Sequence, residues 1–474
     1  MKYNEDMRPR LHFTPCAGFL NDPNGLAYDE RSHTYHVCFQ YQRDVNCDLY
    51  IGWRHAVGDH LCALREQDTV IEPNPYGVIF SGSSVRDEKN ASGLFCKEGA
   101  NLLSFYTVHD LETKHEYQAM SYSADGVSWT PYRGGAPVID NENDRYGVNA
   151  FRDPKVVRCD EDTWLMIVGG GVLRLFASRD LRHWEFQSVI ENTDAEDAEI
   201  TEKLLILQKY LPDNATHGEK MISECPDLFP MGNKWILSGG GLFYVVGRVE
   251  KKNGKYAFIA ESGKRAFARS TEFFAHRGEP YAMQTFSDGR RLAFFWHMDT
   301  TAREIENKPW NGALSLPLQL RMQGGRLCAY PAREVDRQFE KIVFCAARVS
   351  ENTSLSPEPL LLFDLTIEGE KDYTVFLENE RSIIRLFACP QEGYLYIDLT
   401  RAEEFYEHTV GKIPLGKRGK MRVVKDGCAL DVFADGGKNW YSAFVFSENM
   451  RYFVRLASES ALHAKNVRLK TGRV

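Results

Sequence analysis

Three carboxylates, Asp22, Asp153 and Glu224, stand in segments that read as neither ordinary strands nor ordinary turns. Asp22 lies in GFLNDPNG (Gly18 to Gly25), between Asn21 and Pro23 and ahead of a second turn signal at Asn24 and Gly25. Asp153, in FRDPKV, again precedes a proline and adjoins Arg152, and Glu224, in ECPDLF, precedes Cys225 and Pro226. Two carboxyl groups in opposite protonation states can serve as proton donor and as nucleophile or base on one bond. A guanidinium beside a carboxyl, as at Arg152 and Asp153, favours its ionised form. Each segment also has a plainer reading. Asn, Asp, Pro and Gly build turns for local reasons, Arg152 and Asp153 suit a structural ion pair, and a Cys-Pro step can simply end a strand.

The elements that must position these groups are strands. Apolar stretches such as YHVCFQY, TWLMIVGGG, KWILSGGG and RLAFFWHM are short, rich in β-branched or aromatic residues, and bounded by Gly, Asn, Asp or Pro, which predicts an all-β protein. One surface helix is predicted over residues 194–211, where an acidic start leads into an apolar cluster. The pattern Ser-x-Asp-x-x-x-Trp occurs as SADGVSW (Ser123 to Trp129) and as SRDLRHW (Ser178 to Trp184), 55 residues apart, with weaker echoes from Gly58 and Ser270. Units of this size predict propeller blades, because a four-stranded sheet cannot bury both faces alone; coincidence of a common turn chemistry is the alternative. After about residue 335 the repeat stops, and strands such as YTVFLEN, YLYIDL and CALDVFA predict a β-sandwich. The expected division is a propeller over 1–335 and a sandwich over 336–474.

With 474 residues, 43% hydrophobic and 26% charged, the chain has room for two cores. Its 58 basic and 66 acidic side chains sum to −8, which leaves no electrostatic footprint for nucleic acid or an anionic membrane. A small or neutral partner is expected; self-association is left open. The polar start MKYNEDMRPRLHF and the lack of any run near the ~20 apolar residues of a membrane span predict a cytoplasmic protein. The 11 cysteines, scattered from Cys16 to Cys428 without a CxxC pair, read as reduced thiols, not as a disulfide framework or a zinc site.

Taken in order, FLNDPNG, RDP and ECPD resemble the three signature blocks of glycoside hydrolase family 32, the invertase, inulinase, levanase and sucrose-6-phosphate hydrolase group. YHVCFQYQ, WRHAV, IFSGSSV, PYAMQTF and GRRLAFFW match lesser features, and KDGCALDVFADGG resembles a stretch of the family's sandwich, so the resemblance runs from about His12 to at least Gly437. It implies a five-bladed β-propeller carrying the active site at one end of its funnel, followed by a β-sandwich. It also implies retaining hydrolysis of terminal β-fructofuranosides such as sucrose, sucrose 6-phosphate or short fructo-oligosaccharides. Asp22 would attack the anomeric carbon, and Glu224 would protonate the leaving oxygen and then deprotonate water, with the two carboxyls roughly 5 to 5.5 Å apart. Asp153 would hydrogen-bond fructose hydroxyls, kept charged and oriented by Arg152. Phe19, Leu20, Asn21, Gln40, Trp53, Phe80, Ser81, Cys225 and Trp296 would complete the pocket. For Trp53 and Trp296 a place in the propeller core is the competing reading; Asn21 and Gln40 are amides that must find partners. The chemistry calls for no metal and no organic cofactor.

Two departures from the family pattern bear on the pocket. Phe19-Leu20 stands where secreted invertases have Trp-Met, and Ser223 where many members have Trp, so aromatic surface is lost beyond the fructose site. The hydrophobic pair also resembles the intracellular sucrose-6-phosphate hydrolases, for which Arg43, Arg54 and Lys114 are candidate phosphate-binding cations. Residues 192–220 form a long passage before the third block, a candidate funnel rim, a contact to another subunit, or a plain surface excursion. The same catalytic groups would also serve a fructosyltransferase. A catalytically silent, fructan-binding propeller is the reading from a different class.

Overall fold

The structure is a computed structural model that describes residues 1–472 apart from 47–48, 97–98, 100, 147–149, 192, 195–223, 268–279, 300–303, 350–351, 403–409 and 458–463. The helix predicted over 194–211, most of the 192–220 passage and the repeat echo at Ser270 therefore lie outside the described residues. By contacts the chain divides into two compact units, one of residues 15–266 and 281–296, the other of residues 1–14, 267–280 and 297–474. Among the described residues no helix is long and apolar enough to cross a membrane.

The first unit is built of antiparallel meanders. Gly18–Asp29, Thr34–Gln42, Gly52–Gly58 and Arg65–Ile71 pair in sequence order. A second sheet follows with Val78–Arg86, Leu102–His109, Glu116–Ser123 and the short Thr130–Pro131. A third runs Arg152–Arg158, Trp164–Gly169, Leu173–Ser178, Glu185–Ile190, and a fourth Pro226–Met231, Lys234–Gly239, Phe243–Lys252, Lys255–Ala260. Pro280–Thr285 and Leu292–His297 then pair with each other. First strands neighbour first strands, Gly18–Asp29 beside Val78–Arg86 and Arg152–Arg158 between Val78–Arg86 and Pro226–Met231. This is the sheet pattern of propeller blades.

The Ser-x-Asp-x-x-x-Trp repeat marks the same place in two sheets, the turn from third strand to fourth. Ser123 Oγ accepts the Gly126 amide (2.8 Å), and Asp125 Oδ1 accepts those of Val127 and Ser128 (2.8 and 2.7 Å). Ser178 and Asp180 do the same for Leu181, Arg182 and His183. The turn needs a left-handed residue at its centre, Gly126 at φ +78° and Leu181 at φ +61°. A Cβ at Gly126 would lie 2.2 Å from the His36 ring, so the glycine is required there for space as well as for conformation. The closing tryptophan reaches the preceding sheet: Trp129 packs on Ala27 there as well as on Leu102 of its own sheet, and Trp184 lies edge-on to Phe105 with centroids 5.6 Å apart.

In the second unit two six-stranded sheets face each other. One contains Leu362–Glu368, Met421–Asp426 and Ala429–Ala434, the other Tyr373–Glu378, Ile383–Cys389 and Tyr394–Arg401. Their inward residues, Leu365, Val423 and Val432 from one sheet and Val375, Leu386 and Ile397 from the other, form one buried cluster. Tyr373–Glu378 alternates buried and half-buried residues along its length, as a sandwich strand should.

The same unit buries a charged triad. His12 Nδ1 lies 2.8 Å from Asp426 Oδ2 and Nε2 2.9 Å from Asp431 Oδ2, with all three side chains fully inaccessible. Carboxylates only accept, so both ring nitrogens carry protons and His12 is an imidazolium. His12, His297 and Asp431 together resemble a metal-binding set, but a doubly protonated ring has no lone pair to offer an ion. Asp426 also accepts the backbone amides of Arg10, Leu11 and His12 (2.7, 2.8 and 3.0 Å).

Candidate active site

Asp22 and Asp153 lie in the first strands of their sheets and Glu224 just ahead of Pro226–Met231, and the backbone is irregular at each. In Gly18–Asp29 the register jumps between Leu20↔Tyr41 and Pro23↔Phe39, which lifts Asn21 and Asp22 off the ladder. In Arg152–Arg158 it jumps between Arg152↔Gly169 and Lys155↔Ile167. The prolines at 23 and 154 suit these bulges because they have no N–H to give a ladder. Asp153 (φ +61°), Cys225 (φ +41°) and Ala282 (φ +51°) are left-handed without being glycine, a strain of about 1–3 kcal/mol each that persists only where surroundings enforce it.

Cys225 ties the cluster together. It follows Glu224 in the chain, donates its backbone N–H to Asp153 Oδ2 (3.0 Å), and sets its thiol 3.4 Å from Asp22 Oδ2. Asp22 Oδ2 also accepts a 2.5 Å bond from Ser81 Oγ. Packing around the Asp22 carboxyl raises its proton affinity above the usual value; the Ser81 and Cys225 bonds oppose this and the Glu224 charge adds to it. Asp153 is pushed up to about 7, by burial first, with Arg152 opposing and the charges of Asp22 and Glu224 adding. Its own N–H goes to Thr107 Oγ1 (3.0 Å).

The expectation that Arg152 orients Asp153 needs correcting. Its guanidinium goes to Glu116 Oε1 (2.9 Å) and lies 3.8 Å from Glu224 Oε1; burial outweighs its influence on Asp153. The register break after Arg152 and the left-handed backbone of Asp153 turn the two side chains to different partners, so their contiguity did not imply a hydrogen bond.

The other expected site residues divide into a wall and its support. Phe19 meets Trp296 edge-on (6.0 Å), Trp296 meets Tyr281 (6.4 Å), and Tyr281 donates its hydroxyl to Glu224 Oε2 (2.6 Å). Asn21 donates to Gln40 Oε1 (2.6 Å), and Gln40 to the Ile79 carbonyl (3.1 Å), so Gln40 holds Asn21 in place. Two buried atoms of this wall, Asn21 Oδ1 and Trp296 Nε1, find no hydrogen-bond partner among the described residues; polar atoms placed this way are ordinarily satisfied by an ordered water or a bound group. Trp53 is fully buried within a cluster that includes Ile71, Ile79 and Tyr106, and spends its indole N–H on the Phe80 carbonyl (3.0 Å). It and the fully buried Leu20 support the wall from behind and do not line it. Of the candidate phosphate-binding cations, Arg54 is held 2.7 Å from Glu66 and Arg43 3.9 Å from Glu72.

Tyr281, Glu116, His109 and Thr107 were not singled out from the sequence. Tyr281 lies in PYAMQTF, a stretch noted for its resemblance alone; the other three sit in plain strand sequence with nothing to mark them.

Residues 12–331 match the model of the glycosyl hydrolases family 32 N-terminal domain. A levanase from Bacillus subtilis (strain 168) is 27% identical over 92% of this chain and 66% of its own length. A fructan β-fructosidase from Streptococcus mutans is 32% identical over 60% of this chain and 18% of its own. The chain thus spans less than two thirds of the length of these two curated relatives. The crystal structure of exo-inulinase from Aspergillus awamori superposes with a TM-score of 0.78 at 21% identity, over 100% of this chain and 99% of that one, which is a likeness of fold. By the family model, whose span contains all three carboxylates, this chain belongs to glycosyl hydrolase family 32.

Proposed function

We propose that the protein hydrolyses terminal β-fructofuranosides with retention of configuration. The observation that carries this reading is the convergence at Cys225, which joins Asp22, Asp153 and Glu224 from three segments beside an unpartnered acceptor and donor. Asp22, as carboxylate, forms a bond to the anomeric carbon while the bond to the leaving oxygen breaks and Glu224 gives that oxygen its proton. Water then attacks the same carbon, its proton goes to Glu224, and the Asp22 ester opens. Asp153 holds fructose hydroxyls, and its bonds strengthen as the ring approaches the oxocarbenium geometry. The names of the relatives, levanase and fructan β-fructosidase, support fructosides as the substrate class.

We propose further that Pro280–Thr285 and Leu292–His297 begin a fifth blade, and that the working division is a catalytic part over 1–335 and a sandwich over 336–474. The ten described cysteines are all free thiols, which supports a reducing compartment, the cytoplasm.

The test is fructose release from sucrose, sucrose 6-phosphate, an inulin-type oligosaccharide and a levan oligosaccharide, with Asp22→Ala as control. Release from at least one, abolished in the variant, is expected and ranks the substrates. A ladder of products longer than the donor would assign fructosyl transfer instead, and binding without release from any would assign a silent propeller.

A further inference from the structure

Behind the carboxylate cluster lies an acid that the reaction as written does not use. Glu116, on Glu116–Ser123, is buried, and both of its oxygens are fully engaged. Oε1 accepts Arg152 Nη1 and His109 Nδ1, each at 2.9 Å, and Oε2 accepts the Phe151 backbone N–H at 2.6 Å. Because a carboxylate only accepts, the His109 proton sits on Nδ1. The His109 ring stacks on Phe80, centroids 4.4 Å apart and planes 17° from parallel. Gln118, on the same strand, holds the Phe151 carbonyl (2.6 Å) and accepts from Thr107, whose hydroxyl takes the Asp153 N–H.

Resting on the reading above, we infer that Glu116 is a positioning residue of the site, which takes up the Arg152 guanidinium, fixes the backbone entering Asp153 and steadies Phe80 through His109. An anion at this place is what keeps Arg152 from closing on Asp153: the guanidinium is anchored at Nη1 by Glu116 and presents Nη2 toward Glu224 (3.8 Å). Although burial works against its charge, Glu116 is held below the usual range by His109, Arg152 and the Phe151 N–H, so it remains an anion. The other charge that reaches it is Arg174, whose guanidinium donates to the carbonyls of Tyr146, Ala150, Gly169, Gly170 and Val172. Arg152 has no comparable set of carbonyls among the bonds described, so Glu116 is its anchor.

Glu116→Gln tests this, with Glu116→Asp as the second variant should the first fail to fold. Replacing the anion frees Arg152 to turn toward Asp153, which faces Arg152, Asp22, Glu224 and Cys225. The expected result is a fall in kcat of about 10- to 100-fold with KM little changed, the scale of a misplaced catalytic contact. The acid limb of kcat/KM, set by Asp22, should also move, because a closer Arg152 keeps the charge on Asp153 and that charge acts on Asp22. A merely structural loss would lower the melting temperature and leave that limb in place. In protein carrying isotope-labelled arginine, the slowly exchanging guanidinium resonance of Arg152, identified by its loss in Arg152→Lys, should be present in the parent and absent in Glu116→Gln. An unchanged pH profile with unchanged kcat, or a guanidinium resonance indifferent to Glu116→Gln, overturns the inference. The resonance decides the matter even if no fructoside is cleaved, an outcome that would fall on the proposed function alone.

Discussion

Raising the pH should destabilise this protein through a single buried histidine. His12 is held at about 9 against an ordinary 6.5; burial works against its charge, and Asp431 and Asp426 outweigh that penalty. A folded-state value above the unfolded one means the contribution to stability is complete below pH 6.5 and is lost as pH rises through about 9. The rise from 6.5 to about 9 corresponds to about 3 kcal/mol. The side chain is fully inaccessible, so solvent screening does not reduce it. Urea unfolding at pH 6, 7, 8 and 9, on the parent and on His12→Asn, reads this directly: the parent should lose about 3 kcal/mol more than the variant across that range. Lys425, lowered to about 8 by burial, titrates in the same window but is carried by both proteins and drops out of the difference. At pH 6 the variant should already be about 3–5 kcal/mol less stable, because Asp426 and Asp431 keep their charges without a cation between them. Parallel pH dependences for the two proteins would refute the imidazolium assignment and reopen the triad as a neutral or metal-binding group.

Other expectations concern the carboxylate cluster. Asp22 must be ionised to attack, and its raised proton affinity places the acid limb of kcat/KM above the ordinary carboxylate range, with activity present above the limb and lost as pH falls through it. Ser81→Ala removes a bond that opposes the shift, so a pH-rate profile should show the limb moving to still higher pH. Tyr281→Phe removes the hydroxyl 2.6 Å from Glu224; steady-state kinetics should show a fall in kcat of about tenfold or more, with the melting temperature nearly unchanged.

Legibility in the sequence followed the range over which each residue acts. The Asp-Pro steps at 22 and 153 and the Ser-x-Asp-x-x-x-Trp turns could be read because their work is local: a bulge, a left-handed residue, a side chain capping amides within five positions. The alternation of Tyr373–Glu378 could be read because a sandwich strand buries every second residue. Trp53 was misplaced because an aromatic in a strand looks the same whether it faces the pocket or the core behind it. Arg152 favours the Asp153 charge as expected, but its orienting role was misassigned because its hydrogen-bonded partner, Glu116, lies 36 positions earlier, a distance over which no spacing rule operates. Tyr281 reaches Glu224 across 57 positions, and nothing in the sequence beyond resemblance marks it.

The central claim is that Asp22 forms a bond to the sugar. With Glu224→Gln the step that frees the enzyme loses its base, so a fructosyl donor whose leaving group needs no protonation should load the protein and remain attached. Mass spectrometry of the digested protein should then find one fructosyl unit on the peptide carrying Asp22, and none when Asp22→Asn is added. Continued fructose release with no adduct, or an adduct on any other residue, would contradict the account.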